Sequence, residues 1–112
     1  MKKTAIYARG SIETSAQLNI AKQLEKCRRY ANDNGLCVVE EYVDRSSSGP
    51  CKERPAFRAM LKDAELREWD IIIVYSLSRI SRKHDEIEAV KKDLRGNGVT
   101  LFSVSENGDE AP

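Results

Sequence analysis

Three apolar segments of this chain each run straight into serine and arginine. Ala5–Ala8 is followed by Arg9 and Ser11, Leu36–Val43 by Asp44, Arg45, Ser46, Ser47 and Ser48, and Ile71–Val74 by Ser76, Ser78, Arg79, Ser81 and Arg82. If the three segments are strands of one parallel sheet, their carboxyl ends open onto a single crevice, the place where such sheets bind ligands. A hydroxyl and several guanidiniums then converge. A serine hydroxyl is a poor nucleophile unless its proton is removed or its charge stabilised. His84 is the only histidine, and nothing in the sequence sets it beside Ser11, so an acyl-transfer triad is disfavoured. Arginine stays charged, forks onto phosphate oxygens and stabilises charge that builds during attack on phosphorus. The chemistry that fits is phosphoryl transfer on a phosphodiester, the linkage of nucleic acid.

Taken singly, these residues have plainer readings. A serine after a strand is more often a loop residue or a helix N-cap than a nucleophile. Arg79 and Arg82 are three apart and share a face if their segment is helical. A cation is unfavourable at a helix N-terminus, so two arginines there ask for an anionic partner. In the loop Asp44–Arg54, Ser48 precedes Gly49 and Arg54 precedes Pro55, which is ordinary turn chemistry residue by residue. Together they bring a further hydroxyl, carboxylate and guanidinium to the same rim. From Ser76 to His84 the cations Arg79, Arg82 and Lys83 meet no acid, a local positive spot on a chain of net charge +1. So small a patch implies weak non-specific affinity for DNA.

The elements that must position these groups follow from periodicity. At 112 residues, with 40% apolar and 33% charged residues, the chain reads as one globular domain, 1–112. No apolar run approaches the roughly 20 residues of a membrane span. Cys27, Cys37 and Cys51 are odd in number and widely spaced, so no zinc site is expected and reduced thiols in a cytoplasmic setting are. A helix is expected from about Ser15 to Asn34, with Ile20, Leu24, Cys27 and Ala31 as its buried stripe and Gly35 at its end. Leu36–Val43 reads as a strand whose Glu40 and Glu41 suggest an edge. Pro55 opens a second helix, with Phe57, Met60, Leu61 and Ala64 inward, that fades near Trp69. Ile71–Val74 has the pattern of a central strand buried on both faces. A third helix over Lys83–Asn97, with Ile87, Val90 and Leu94 inward, leads to Gly98, a fourth strand at Val99–Val104 and a polar tail, Ser105–Pro112. This alternation implies right-handed crossovers and a three-layer α/β/α fold with a mostly parallel four-stranded sheet.

The blocks YARGS (Tyr7–Ser11), VDRSSSGPCKERPAF (Val43–Phe57) and IIIVYSLSRISR (Ile71–Arg82), in this order and spacing, resemble the serine recombinases, the resolvase/invertase family. The details of the loop are most similar to the large serine recombinases and transposon-type members. The resemblance covers essentially the whole chain and implies a resolvase-like catalytic domain. Ser11 would attack a DNA phosphodiester and form a 5′-phosphoserine link. Arg9, Arg79 and Arg82 would hold the scissile phosphate. Tyr7, Ser48, Arg54 and Asp44 match further active-site positions. Gln23 and Gln17 match glutamines of the first helix and, with Lys83, are expected on the DNA. The resemblance implies no metal and no cofactor, DNA as the partner, and a dimer or tetramer in the full-length protein. Two departures stand out. Ser78 replaces the aspartate usual before the first arginine of the third block, and the dimerisation helix and DNA-binding region are expected to be absent. An isolated domain of this kind should bind DNA poorly and recombine nothing. Two other readings are a non-catalytic regulatory or assembly domain, favoured by Ser78, and a small phosphate-binding α/β protein, for which the arginines alone suffice.

Overall fold

The computed structural model describes residues 2–11, 20–46, 54–66, 68–81 and 83–105, with residues 11, 45 and 46 described through their main chain. Strand β1 (Lys3–Ser11) is followed by α1 (Ile20–Asp33), β2 (Cys37–Ser46), α2 (Pro55–Glu65), β3 (Ile71–Val74), a single 3-10 turn at Leu77–Arg79, α3 (His84–Gly96) and β4 (Thr100–Ser103). The sheet has the order β2-β1-β3-β4, and every pairing is parallel.

Alternate residues of β1 and β3 point to opposite faces. Ile6, Ile71 and Ile73 pack on one face with Cys27 and Ala31 of α1. Ala5, Tyr7, Ile72 and Val74 pack on the other with Phe57, Met60 and Ala64 of α2 and Ile87 and Leu94 of α3. These are the expected three layers. All four residues of β3 are buried, which is why its sequence is continuous β-branched residues rather than an alternation. Each such isoleucine contributes about 1.5–3 kcal/mol by leaving water. β2 lies at the edge, as Glu40 and Glu41 suggested, and Glu41 accepts both Nε (2.6 Å) and Nη2 (2.7 Å) of Arg28 across the surface. That fork holds the Glu41 carboxyl below its usual range. Gly35 and Gly98, at φ 69° and 79°, take the left-handed conformation that ends α1 and α3.

The boundaries differ from expectation where they bear on chemistry. β1 continues past Ala8 and β2 past Val43, because the two pair to their ends: Arg9 with Asp44, Gly10 with Arg45, Ser11 with Ser46. Polar residues that read as loop are held in the strand ladder, so the site begins on strand. The first helix is seen from Ile20; residues 15–19 of its expected span lie outside the described residues. α2 ends at Glu65, and Trp69 beyond it is buried in the core. The last helix begins one residue later than expected: Lys83 is its N-cap, and Asp85 and Glu86 occupy its first turn, where the helix dipole favours them. β4 is shorter than Val99–Val104, and the expected tail beyond Ser105 lies outside the described residues. Among the described residues no helix is long and apolar enough to cross a membrane.

The buried thiol of Cys27 makes stability depend on alkaline pH. Burial, with the nearby Glu41 charge adding to it, pushes its pKa from 9.0 up to about 12. Between those values the folded chain retains a proton that the unfolded chain has lost, so this contribution to stability is complete below pH 9 and is lost as pH rises toward 12. Tyr42, raised from 10.0 to about 12 by burial and its bond to Asp63, adds a second decline that starts later. In urea denaturation, Cys27→Ala should lower the midpoint below pH 9, where only the small cavity it leaves acts. It should also remove the decline between the thiol's ordinary pKa of 9.0 and the phenol's of 10.0. An unchanged slope in that interval contradicts the assignment.

Candidate active site

Arg9 stands near the carboxyl end of β1, opposite Asp44 of β2. On its other side β3 has already ended: the last pairing there is Tyr7 with Val74. The main chain of Arg9 therefore needs other partners. Gln23 of α1, fully buried, supplies them: its Oε1 accepts the Arg9 N–H at 3.2 Å and its Nε2 donates to the Arg9 carbonyl at 2.8 Å.

The Arg9 side chain crosses to the segment after β3. Nε donates to the Arg79 carbonyl and Nη2 to the Ser78 carbonyl, both at 3.2 Å. Arg79 answers: Nη1 donates to the Arg9 carbonyl at 2.9 Å and Nη2 to Ser78 Oγ at 3.3 Å. Each guanidinium is thus fastened to the other's segment. The 3-10 turn that carries Arg79 is closed by Arg79 N–H to the Ser76 carbonyl (3.0 Å) and anchored by Ile80, which is buried in the core. Ser76 Oγ and Ser78 Oγ share a hydrogen bond of 2.7 Å.

A second group lies on the α2 side of the same rim. The buried Tyr7 hydroxyl donates to Asp44 Oδ2 at 2.8 Å. Asp44 also accepts the N–H groups of Ala56 (2.8 Å, Oδ1) and Phe57 (3.0 Å, Oδ2). Arg54, in the left-handed conformation at φ 45° and ψ 56°, lays its guanidinium 3.9 Å from the Phe57 ring centre and 5.9 Å from that of Tyr7. Cations over aromatic faces are attracted by the ring quadrupole. Arg54 Nη2 reaches the Arg79 carbonyl at 3.5 Å, joining the two groups. Burial first, then the bond to Asp44, pushes the Tyr7 phenol far above its ordinary value, while Arg54 opposes the shift. Tyr7 therefore stays protonated and acts as a donor.

Arg9, Arg79, Tyr7, Asp44 and Arg54 accordingly come together, and the main chain of Ser11 ends β1 at the same rim. Ser48, Arg82 and Gln17 lie outside the described residues. Two expectations need correction. Gln23, expected on the DNA, is buried and spends its amide on the Arg9 main chain, because β1 outruns β3 there. The argument from a cation at a helix N-terminus also fails for Arg79. It belongs to a separate 3-10 turn, and its guanidinium donates to the Arg9 carbonyl and the Ser78 hydroxyl. Lys83 is exposed, with its N–H on Ser81 Oγ, and among the described residues takes no part in either group. His84 is exposed beside Glu88. The Gln23 clamp was visible in principle: Gln23 falls three residues after Ile20 and four before Cys27, a polar residue on an apolar stripe. The Ser76–Ser78 pair left no comparable signal.

Among the described residues no group of three or more His, Cys, Asp or Glu could hold a metal ion. The arrangement offers fixed guanidiniums and a protonated phenol around the end of a serine-bearing strand, a setting built for an anion.

Known proteins share this fold. The family described as resolvase, N-terminal domain, matches residues 4–112. A candidate DNA recombinase of Bacillus subtilis (strain 168) is 34% identical over 109 residues, which is 96% of this chain but 21% of the length of that protein. The crystal structure of the N-terminal catalytic domain of TP901-1 integrase is 35% identical with a TM-score of 0.77, over 94% of this chain and 78% of that one. A resolvase family site-specific recombinase from Streptococcus pneumoniae superposes with a TM-score of 0.83 at 26% identity, over 99% of this chain and 76% of that one. The C-terminal catalytic domain of ISC1926 TnpA, an IS607-like serine recombinase, gives 0.75 at 26% identity, over 91% and 69%. The chain belongs to the resolvase family, and its fold is that of the serine recombinase catalytic domain.

Proposed function

We propose that this domain cleaves and rejoins DNA strands for a site-specific recombinase. In this reading the Ser11 hydroxyl oxygen attacks the scissile phosphorus, the bond from phosphorus to the 3′ oxygen breaks, and the 3′ oxygen leaves with a proton. Ser11 keeps the 5′ phosphate as a phosphoester. Rejoining is the same displacement in reverse by another 3′ hydroxyl, so no external energy source is consumed. Arg9 and Arg79 bind the non-bridging phosphate oxygens and stabilise the charge that grows on them. Arg54 adds a third guanidinium, and Arg82 and Ser48 contribute from the segments next to these. Exchange of strands needs several such domains at once, so the working unit is an oligomer of the protein that carries the domain, acting on cytoplasmic DNA.

The observation that carries this reading is the meeting of Arg9 and Arg79, 70 residues apart in sequence, at the rim where Ser11 ends β1. The acceptors they share there include carbonyl and hydroxyl oxygens. Charged phosphate oxygens make the stronger bonds to guanidinium and displace such acceptors. The alternative, an assembly domain that binds DNA without cutting it, is favoured by Ser78 Oγ standing beside Arg79 where the resemblance implies a carboxylate.

One experiment separates the two. The protein that carries this domain is incubated with a pool of randomised DNA duplexes, quenched in detergent and digested with trypsin. Strand cleavage predicts a detergent-stable adduct whose nucleotide-bearing peptide contains Ser11. Adduct on another residue, or broken strands with no protein attached, defeats the proposal. Detergent-sensitive complexes with intact strands support the assembly reading.

A further inference from the structure

We propose that Asp44 is a positioning residue that sets Arg54, and not a carboxylate that handles the protons of the reaction. This inference rests on the strand-cleavage reading above.

Asp44 is 2% exposed, and its oxygens are occupied. Oδ1 accepts from Ala56 N–H, and Oδ2 accepts from both Phe57 N–H and the Tyr7 hydroxyl, at 2.8, 3.0 and 2.8 Å respectively. Ala56 and Phe57 are the second and third residues of α2, whose first N–H groups have no acceptor within the helix. The usual remedy is a short polar side chain at the N-cap. Here the N-cap is Arg54, whose side chain makes no cap hydrogen bond. Asp44 reaches over from β2 and does the capping instead, with a negative charge that suits the positive end of the helix.

The cap fixes where α2 begins and so fixes the residue just before it. Arg54 holds a left-handed backbone that side-chain-bearing residues rarely adopt. Such a conformation persists when its surroundings over-determine it. On one side are the two N–H groups gripped by Asp44; on the other is the Phe57 ring, 3.9 Å from the guanidinium. From that seat Nη2 of Arg54 reaches the Arg79 carbonyl. Asp44 therefore transmits the position of β2 to an arginine of the other group. A proton-transfer carboxylate needs an oxygen turned toward the reacting atoms, directly or through one water, when the substrate is bound. Asp44 faces main chain and phenol, and protonating it would weaken the cap.

The test has two arms. Without DNA, amide exchange and the Arg54 Nε–H resonance are followed by NMR in this chain. In the wild type the Ala56 and Phe57 amides should be protected. In Asp44→Asn at least one should exchange tenfold faster or more, and the Arg54 signal should move. Unprotected amides in the wild type overturn the proposal, as do an unmoved Arg54 signal and unchanged protection in the variant. With DNA, adduct formation by the protein that carries the domain is measured for Asp44→Asn, Arg54→Ala and the double variant across pH. Asp44→Asn should slow adduct formation tenfold or more when Arg54 is present, less than twofold when it is absent, and leave the shape of the pH profile unchanged. Equal slowing in both backgrounds, or a lost pH limb, overturns the proposal. A wild type that forms no adduct counts against strand cleavage, while the NMR arm still decides the role of Asp44.

Discussion

Ser11→Ala should reduce the covalent protein–DNA adduct to background, a loss of about 10⁴-fold or more, as expected when a nucleophile is removed from a site that leaves other groups in place. DNA binding should change by less than about twofold, because phosphate affinity resides in the guanidiniums. The two effects separate cleanly here for a structural reason. Ser11 is the last residue of β1, and its pairing with Ser46 runs through the main chain, which alanine retains. Arg9 is held by Gln23 and by the Ser78 and Arg79 carbonyls. The measurement is adduct yield in denaturing gels set beside binding by mobility shift. An adduct that survives the substitution removes Ser11 from the chemistry. A parallel loss of binding and adduct makes Ser11 a binding residue instead.

How much of this was legible before any coordinates depends on how local the signal was. β3 announced itself as four consecutive β-branched residues, and the α1 stripe of Ile20, Cys27 and Ala31 recurred at helical spacing. Burial periodicity is a property of neighbours in sequence. The meeting of Arg9 and Arg79 could be expected because strand ends in a parallel sheet share a rim, but their reciprocal hydrogen bonds could not. Those depend on β1 outrunning β3, which follows from how far β2 pairs along β1. Asp44 is the clearest case. Read as a rim carboxylate, it proves to be the cap of a helix that starts eleven residues later. The capping signal in sequence is sought at the residue next to the helix, and here that residue is an arginine. Gln23 shows the reverse: its place on the apolar stripe carried the information, while its resemblance to family glutamines directed attention to DNA.

Arg79→Lys should cost about 10²–10³-fold in adduct formation, the scale of losing one preorganised donor to a developing negative charge. Lysine keeps the charge, so an effect of this size tests geometry rather than electrostatics. The guanidinium of Arg79 uses Nη1 on the Arg9 carbonyl and Nη2 on Ser78 Oγ, two acceptors addressed by one rigid plane. An ammonium on a flexible stem cannot hold both directions at once, and it binds phosphate as a point charge. The substitution should leave the fold intact. The 3-10 turn is closed by the main-chain bonds of Arg79 and Ile80 to Ser76 and Leu77, and Ile80 is buried. Thermal unfolding therefore serves as the control, with a midpoint close to wild type expected. Loss of adduct with retained stability establishes that the directions of the Arg79 donors matter. Wild-type adduct formation by the lysine variant reduces Arg79 to a nearby positive charge. The hydrogen bonds that tie it to Arg9 would then be features of the DNA-free fold alone, and the weight of phosphate recognition would shift to Arg9, whose side chain reaches the same segment from β1.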